Sequence, residues 1–306
     1  MNLDNLPLDL IRLIIRHLSG RNPARDSFDL SLVCRSLHAQ LPAPPLHVVV
    51  PSPRCKSLAW VLQRLKAHAS VASANLPEIW LKAGKYRLRR QITLDFPIKI
   101  VGRGCRQTRL LGGIQIGEGT FQHDEFRSRF AIQLEESEES KVTEARNIRD
   151  EEAAGRVWLQ SLTVTSQDGE GIFASGNAAL PLHLENVEVT LCKESAVSIL
   201  NRGVLTARNC EFHRNGAGGI CLWGNGTSGR LMNVTCHHNI WSGLDCYDGA
   251  HVTLFGAKSA YHDNGHPGLV SRGSGSRVLL SDGILTSDDD RREDDGGRVM
   301  RTTAEE

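Results

Sequence analysis

Through residues 157–285 apolar and polar residues alternate in short runs: Leu182-Leu184, Val187-Val189 and Val197-Ile199, then Leu205-Ala207, Cys210-Phe212 and Ile220-Leu222. A period of two is that of β-strands with one face buried. Turn residues separate the runs, as in Ser175-Gly176-Asn177, Asn201-Arg202-Gly203, Gly224-Asn225-Gly226 and Asp248-Gly249. Gly, Asn and Asp tolerate the positive φ that tight corners require. The whole pattern then repeats. A small residue followed by an apolar one returns at Gly171-Ile172, Ala196-Val197, Gly219-Ile220, Gly243-Leu244 and Gly268-Leu269, in steps of 25, 23, 24 and 25. Asn186, Asn209 and Asn233 keep the same beat. A fixed period in the low twenties marks a solenoid. The Leu-x-x-Leu-x-Leu spacing of leucine-rich repeats is missing, and so is the 3.6-residue period of helical repeats. Three short strands per turn of about 24 residues predict a mainly β chain. They wind as a right-handed, single-stranded parallel β-helix with coils about 4.8 Å apart.

This phasing resembles the parallel β-helix repeats of the pectin-lyase-like superfamily, which includes carbohydrate-binding and sugar-hydrolase members. The stretch "IWLKAGKYRLRRQITLDFPIKIVGRGCRQTRLLGG" from Ile79 resembles the first coils of such proteins, with Gly84, Gly102 and Gly104 as corner glycines. Its Gly-x-Gly is no dinucleotide loop, because no helix follows it.

The N-terminus differs in kind. Leu10, Ile14 and Leu18, flanked by Ile11 and Ile15, form the apolar stripe of an amphipathic helix, and Pro7 stands where a helix starts. Asp26 and Asp29 resemble a capping box that opens a second helix through Leu30, Val33, Leu37 and Leu41. Such a thin helical unit needs a partner to bury its apolar surface. The wording "LPLDLIRLIIRHLS", a polar insert, then "FDLSLVCRSLHAQL" resembles the F-box, through Leu6-Pro7 and Leu30-x-x-Val33-Cys34-Arg35. Leu37 stands where the family often has Trp. The resemblance implies that Leu6, Pro7, Leu10, Ile11, Ile14, Val33, Cys34 and Arg35 face the SKP-type adaptor of a cullin–RING ubiquitin ligase. F-box-only proteins carrying parallel β-helix (CASH-type) repeats join both halves.

The expected organisation is an F-box over residues 1–45, a connector and capping helix over 46–69, and a β-helix over 70–285. A disordered acidic tail over 286–306 completes the chain. Pro42, Pro44, Pro45, Pro51 and Pro53 make the connector stiff. Leu58, Val61, Leu62 and Leu65 share one face of the helix expected to cover the open solenoid end. Between Phe121 and Arg156 the pattern breaks: "RFAIQLEE" reads as one strand, but Glu135 to Gly155 is crowded with charge and cannot bury enough apolar area to hold a coil, so a projecting acidic loop is expected over about 121–156.

Net charge is +1, which argues against an electrostatic nucleic-acid or membrane binder. Aromatic residues make up 5% of the chain, which suits a β-helix packed with aliphatic side chains. No apolar run reaches the length of a membrane span, and Asp4 and Asp9 do not suit a signal peptide. Eight cysteines without a Cys-x-x-Cys pair fit a reduced cytoplasmic or nuclear setting. No cofactor is implied.

Sugar cleavage requires paired carboxylates to protonate the leaving oxygen and activate water. Asp-Asp pairs occur only in the tail, at Asp288–Asp290 and Asp294-Asp295, and Gly265-His266-Pro267-Gly268 is only superficially a Gly-His-Gly motif. Asp245, Asp248 and Asp263 are the best remaining carboxylates, with no Lys or Arg clearly paired to them. No catalytic residue is assigned. His213, His237 and His262 each stand two residues before an Asn (Asn215, Asn239, Asn264), which predicts a histidine ladder beside an asparagine ladder. Because a parallel ladder does not readily converge on one ion, no metal ligands are assigned. The neighbouring column Arg214, His238 and Asp263 is polar, points outward and is the expected target-binding face. The expected function is therefore a non-catalytic substrate receptor of an SCF-type ligase. It would bind the adaptor through the F-box and a target protein through the β-helix. Two alternatives remain: a carbohydrate-active β-helix protein, whether lyase, hydrolase or glycan-binding module, and a scaffold with no ligase link.

Overall fold

A computed structural model of the chain describes residues 47–51, 57–68, 76–88, 91–117, 155–176, 180–281, 284 and 291–301. Within them strands β1 (His47–Val50) to β23 (Arg298–Arg301), numbered in chain order, and one helix, α1 (Leu58–His68), build a right-handed parallel β-solenoid of about seven turns. The strands stack into three faces. The first runs through β1, β2 (Glu78–Leu81), β5 (Ile98–Val101), β8 (Val157–Thr165), β10 (Leu182–Thr190), β12 (Val204–Arg208), β15 (Ser228–Met232), β18 (His251–Phe255), β21 (Arg277–Leu280) and β23. The second takes the C-terminal halves of the long strands β8 and β10, then β13 (Glu211–His213), β16 (Thr235–His237) and β19 (Ala260–His262). The third includes β9 (Ile172–Ser175), β11 (Val197–Leu200), β14 (Ile220–Trp223), β17 (Leu244–Tyr247), β20 (Leu269–Arg272) and β22 (Arg291–Asp294).

Register explains the repeat. One coil's inward residue sits on the next coil's, so the first face stacks Ile79, Ile100, Leu159, Leu184, Ala207, Leu231, Leu254 and Leu280. The third face stacks Ile172, Val197, Ile220, Leu244 and Leu269. All of these are buried. Each buried Val, Leu or Ile contributes about 1.5–3 kcal/mol, so the core is a column of small gains, least at Ala207. On α1, Leu58, Val61, Leu62 and Leu65 are buried in that same core.

Corners are made by residues at positive φ. Ser161 (φ 54°), Asn186 (51°), Asn209 (52°) and Asn233 (52°) turn the first face into the second. Asn suits this position because its short polar side chain tolerates the left-handed region, and Asn233 Nδ2 donates to Asn209 Oδ1 at 3.2 Å.

The structure corrects two boundaries. β1 pairs with β2 in parallel, His47 against Glu78 through Val50 against Leu81, so part of the expected connector is a rung of the solenoid. Val48 and Val50 are buried, because an alternating Val run finds a free strand edge to join. At the other end, β22 and β23 continue the stack where a disordered tail was expected. Leu269 pairs with Arg291, and Asp295 (φ 51°) with Gly296 (φ 85°) repeats the Asp248-Gly249 corner. Arg272 donates to Asp294 through Nε (3.1 Å) and a terminal nitrogen (2.7 Å), which ties the charged last coil to its neighbour. The charged stretch at 121–156 lies outside the described residues except for its last two positions.

Candidate functional site

On the second face the outward positions of β10, β13, β16 and β19 carry chemistry. Thr190, His213, His237 and His262 form one column, since β13, β16 and β19 pair residue for residue. The expected histidine ladder is present. His213 and His237 stack with centroids 5.0 Å apart and planes 2° apart, and His237 and His262 follow at 5.4 Å and 4°. Two residues earlier in each strand, the same outward side holds Glu188, Glu211, Thr235 and Ala260, and Thr163 of β8 pairs with Glu188 at the head of that column.

The two columns interlock across coils. His213 Nε2 lies 3.0 Å from Glu188 Oε1, and His237 Nε2 lies 2.9 Å from Glu211 Oε1. His213 Nε2 is also 4.0 Å from Glu211 Oε1. Thr163 Oγ1 donates to the other Glu188 oxygen at 2.8 Å. On the far side of the rings, His213 Nδ1 is 3.4 Å from Thr190 Oγ1 and His237 Nδ1 is 2.7 Å from His238 Nδ1. Burial alone would raise the Glu188 carboxyl. The bonds from Thr163 and His213, with the charge of Arg106, outweigh it and hold Glu188 below its ordinary value. Burial pushes the His237 imidazole below its ordinary value against the bond to Glu211. The sequence pattern does not single out Glu188 and Glu211. Their signal is the 23-residue step between them and their place two residues before Thr190 and His213.

Inside the next corner runs the asparagine ladder. Asn215 Nδ2 donates to Asn239 Oδ1 (2.9 Å), and Asn239 Nδ2 to Asn264 Oδ1 (3.0 Å). Each amide also donates to a backbone carbonyl, of Val189, Phe212 and Cys236 in turn. Between the two ladders stand Leu191, Arg214, His238 and Asp263, all at φ of 53–56°. The left-handed corner throws these four side chains outward, so the expected column Arg214, His238 and Asp263 is exposed as predicted, and Leu191 extends it. A shallow cleft of about 410 Å³ runs along it, lined by Leu191, Lys193, Arg214, His238 and Ile240 among others. Leu191, Ile240 and Trp241 are exposed apolar side chains on these turns.

The three aspartates proposed from sequence do not meet. Asp245 is buried on β17, where desolvation pushes its carboxyl up to about 6. Asp248 is a corner residue (φ 50°) that accepts a bond from Trp223 Nε1. Asp263 accepts from His262 Nδ1 at 2.8 Å in the other corner. Leu6, Pro7, Leu10, Ile11, Ile14, Val33, Cys34 and Arg35 lie outside the described residues. Six cysteines among the described residues are free thiols, and burial raises Cys192, Cys210 and Cys246 to about 12, so these behave as small apolar groups.

No curated protein matches the chain, and no F-box match is found. Two solved structures are similar to it, the A-modules of the mannuronan C-5 epimerases AlgE4 and AlgE6 of Azotobacter vinelandii. They share 13% and 14% identity with it and cover 81% of this chain and 94% and 92% of their own. Both have a TM-score of 0.31, too low to carry a functional argument. Residues 151–290 match the family model described as a right handed beta helix region, from just before β8 to just before β22.

Proposed function

We propose that this chain is a non-catalytic recognition protein, the substrate-receptor subunit of an SCF-type ubiquitin ligase. Residues 1–45 would bind the SKP-type adaptor through Leu6, Pro7, Leu10, Ile11, Ile14, Val33, Cys34 and Arg35, and the solenoid would hold a target protein. The observation that carries the reading is the second-face corner. Exposed Leu191, Ile240 and Trp241 alternate there with Lys193, Arg214 and His238 on a rigid scaffold. Apolar anchors beside the cations Lys193 and Arg214 suit a protein segment with apolar and acidic side chains. The ordered F-box resemblance supplies the link to the ligase, and proximity is then the whole contribution to ubiquitin transfer. Such a complex works in the cytoplasm or nucleus.

The test is adaptor capture by the full chain, with Leu10→Asp/Ile14→Asp as the control. Saturable binding lost in the double variant supports the ligase link, whereas no binding by the folded chain sinks it. Target capture lost in Ile240→Asp would place the target on the corner.

A second reading, glycan recognition, is favoured by Trp241, exposed on the same turns that carry Lys193 and Arg214, since an indole face stacks on a sugar ring. Glycoside cleavage is a poorer fit. It needs a raised carboxyl within reach of substrate, but the raised one, Asp245, is buried on the third face, and Glu188 on the second is held below its ordinary value. Binding of acidic oligosaccharide without adaptor binding would select this second reading.

A further inference from the structure

The second-face ladder does more than stack. Glu211, His213 and His237 each offer one donor atom, and the three atoms lie within 4.8 Å of one another. Glu188 adds a second carboxylate 3.0 Å from His213 Nε2. Among the described residues, the permanently charged side chain near these two carboxylates is the largely exposed Arg106, whose Nε is 3.7 Å from Glu188. A cluster of this sign and donor type favours a divalent ion of the zinc class, which takes imidazole nitrogen and carboxylate oxygen at about 2.0–2.2 Å.

We propose that Glu211, His213 and His237 form a binding site for a divalent transition-metal ion, bridging two successive coils, with Glu188 as an additional carboxylate.

Tautomers make the site self-consistent in both states. Without metal, Nε2–H of each histidine donates to its glutamate, and Nδ1 accepts from Thr190 Oγ1 or from His238 Nδ1–H. With metal, the proton sits on Nδ1 and Nε2 presents its lone pair. The partners for that Nδ1–H are the same two groups, at 3.4 and 2.7 Å. A second hydrogen-bonding shell of this kind orients metal-bound imidazoles. The rings now stack in parallel, so closure requires His237 and Glu211 to turn about their side-chain bonds. Glu211, with 42% of its side chain exposed, has room to turn, whereas His237, 17% exposed, must tilt out of its stack between His213 and His262 to close the site. Glu211's exposure leaves the remaining coordination position open to water or to a partner's side chain. His262 stacks on His237 but is bound to Asp263 and has no glutamate at its Nε2 side, where the column holds Thr235. It is the internal control.

The experiment is calorimetric titration of the full chain with Zn²⁺, paralleled by Co²⁺ and its visible ligand-field absorption. Glu211→Gln, His237→Gln and His262→Gln are compared, each checked by thermal unfolding. The proposal expects one saturable site per chain and a rise in Tm with metal. It also expects affinity to fall at least about tenfold in Glu211→Gln and His237→Gln, with His262→Gln unchanged. Absence of a saturable site overturns it. So does undiminished binding in Glu211→Gln, or an equal loss in His262→Gln, which would mark scattered surface histidines. Should His237→Gln fail to fold, the exposed Glu211→Gln alone decides.

Discussion

Asn239 shows how much one side chain carries in this fold. It is buried, its Oδ1 accepts from the backbone N and the amide of Asn215, and its Nδ2 donates to Phe212 O and Asn264 Oδ1. Asn239→Ala strands several buried partners at once, each costing about 1–3 kcal/mol when left unmade. A loss of roughly 3 kcal/mol or more is expected by chemical denaturation. Asp245 acts in the opposite sense. Its folded pKa is raised to about 6, chiefly by burial and against bonds from Ser242 and Tyr247 and the charge of Arg272. A raised carboxyl binds more protons folded than unfolded, so its contribution is present at low pH and lost as pH rises through about 6. Asp245→Asn should therefore be more stable than the parent at neutral pH, by roughly 2–3 kcal/mol. The advantage should vanish towards the ordinary carboxylate pKa, and thermal unfolding across that range measures it.

At the scale of the coil, the sequence motif of a small residue before an apolar one has a steric cause. A Cβ on Gly243 would lie 2.8 Å from Gly268 O, 3.0 Å from Asn264 Nδ2 and 3.1 Å from Cys236 Cβ. The strand enters the third face there by passing close under the next coil. Gly243→Ala should cost about 1–3 kcal/mol, whereas Gly169→Ala, with nothing within 4 Å, should be neutral. Equal unfolding midpoints for the two variants would contradict this account. The paired strands and corners were legible because each coil obeys the same local rules. β22 was not, because the Asp and Arg run of an end coil carries no alternation of burial.

For the whole molecule, stability is a sum of coil interfaces, so the ends matter most. β22 and β23 cover β20 and β21. Truncation after residue 285 removes both strands and opens the edges beside Leu269, Val278 and Leu280, which are buried in the full chain. The expected outcome is a lower Tm and self-association through the exposed edge, read by size-exclusion chromatography with light scattering. A monomer of unchanged Tm would show that the last coil is dispensable.

The period of the chain determined the solenoid by itself, along with its corner asparagines and its stacked histidines. Same-phase residues in identical coils have to lie in line, so counting residues was enough. Tertiary structure decided the rest. Only the observed register places Glu188 diagonally against His213 and Glu211 against His237, one coil apart. Only the folded corners bring Leu191, Lys193 and Ile240 beside the outward Arg214 and His238 in one cleft. Sequence order specifies which residues share a column. How neighbouring columns meet depends on side-chain reach across coils, which no spacing along one strand encodes.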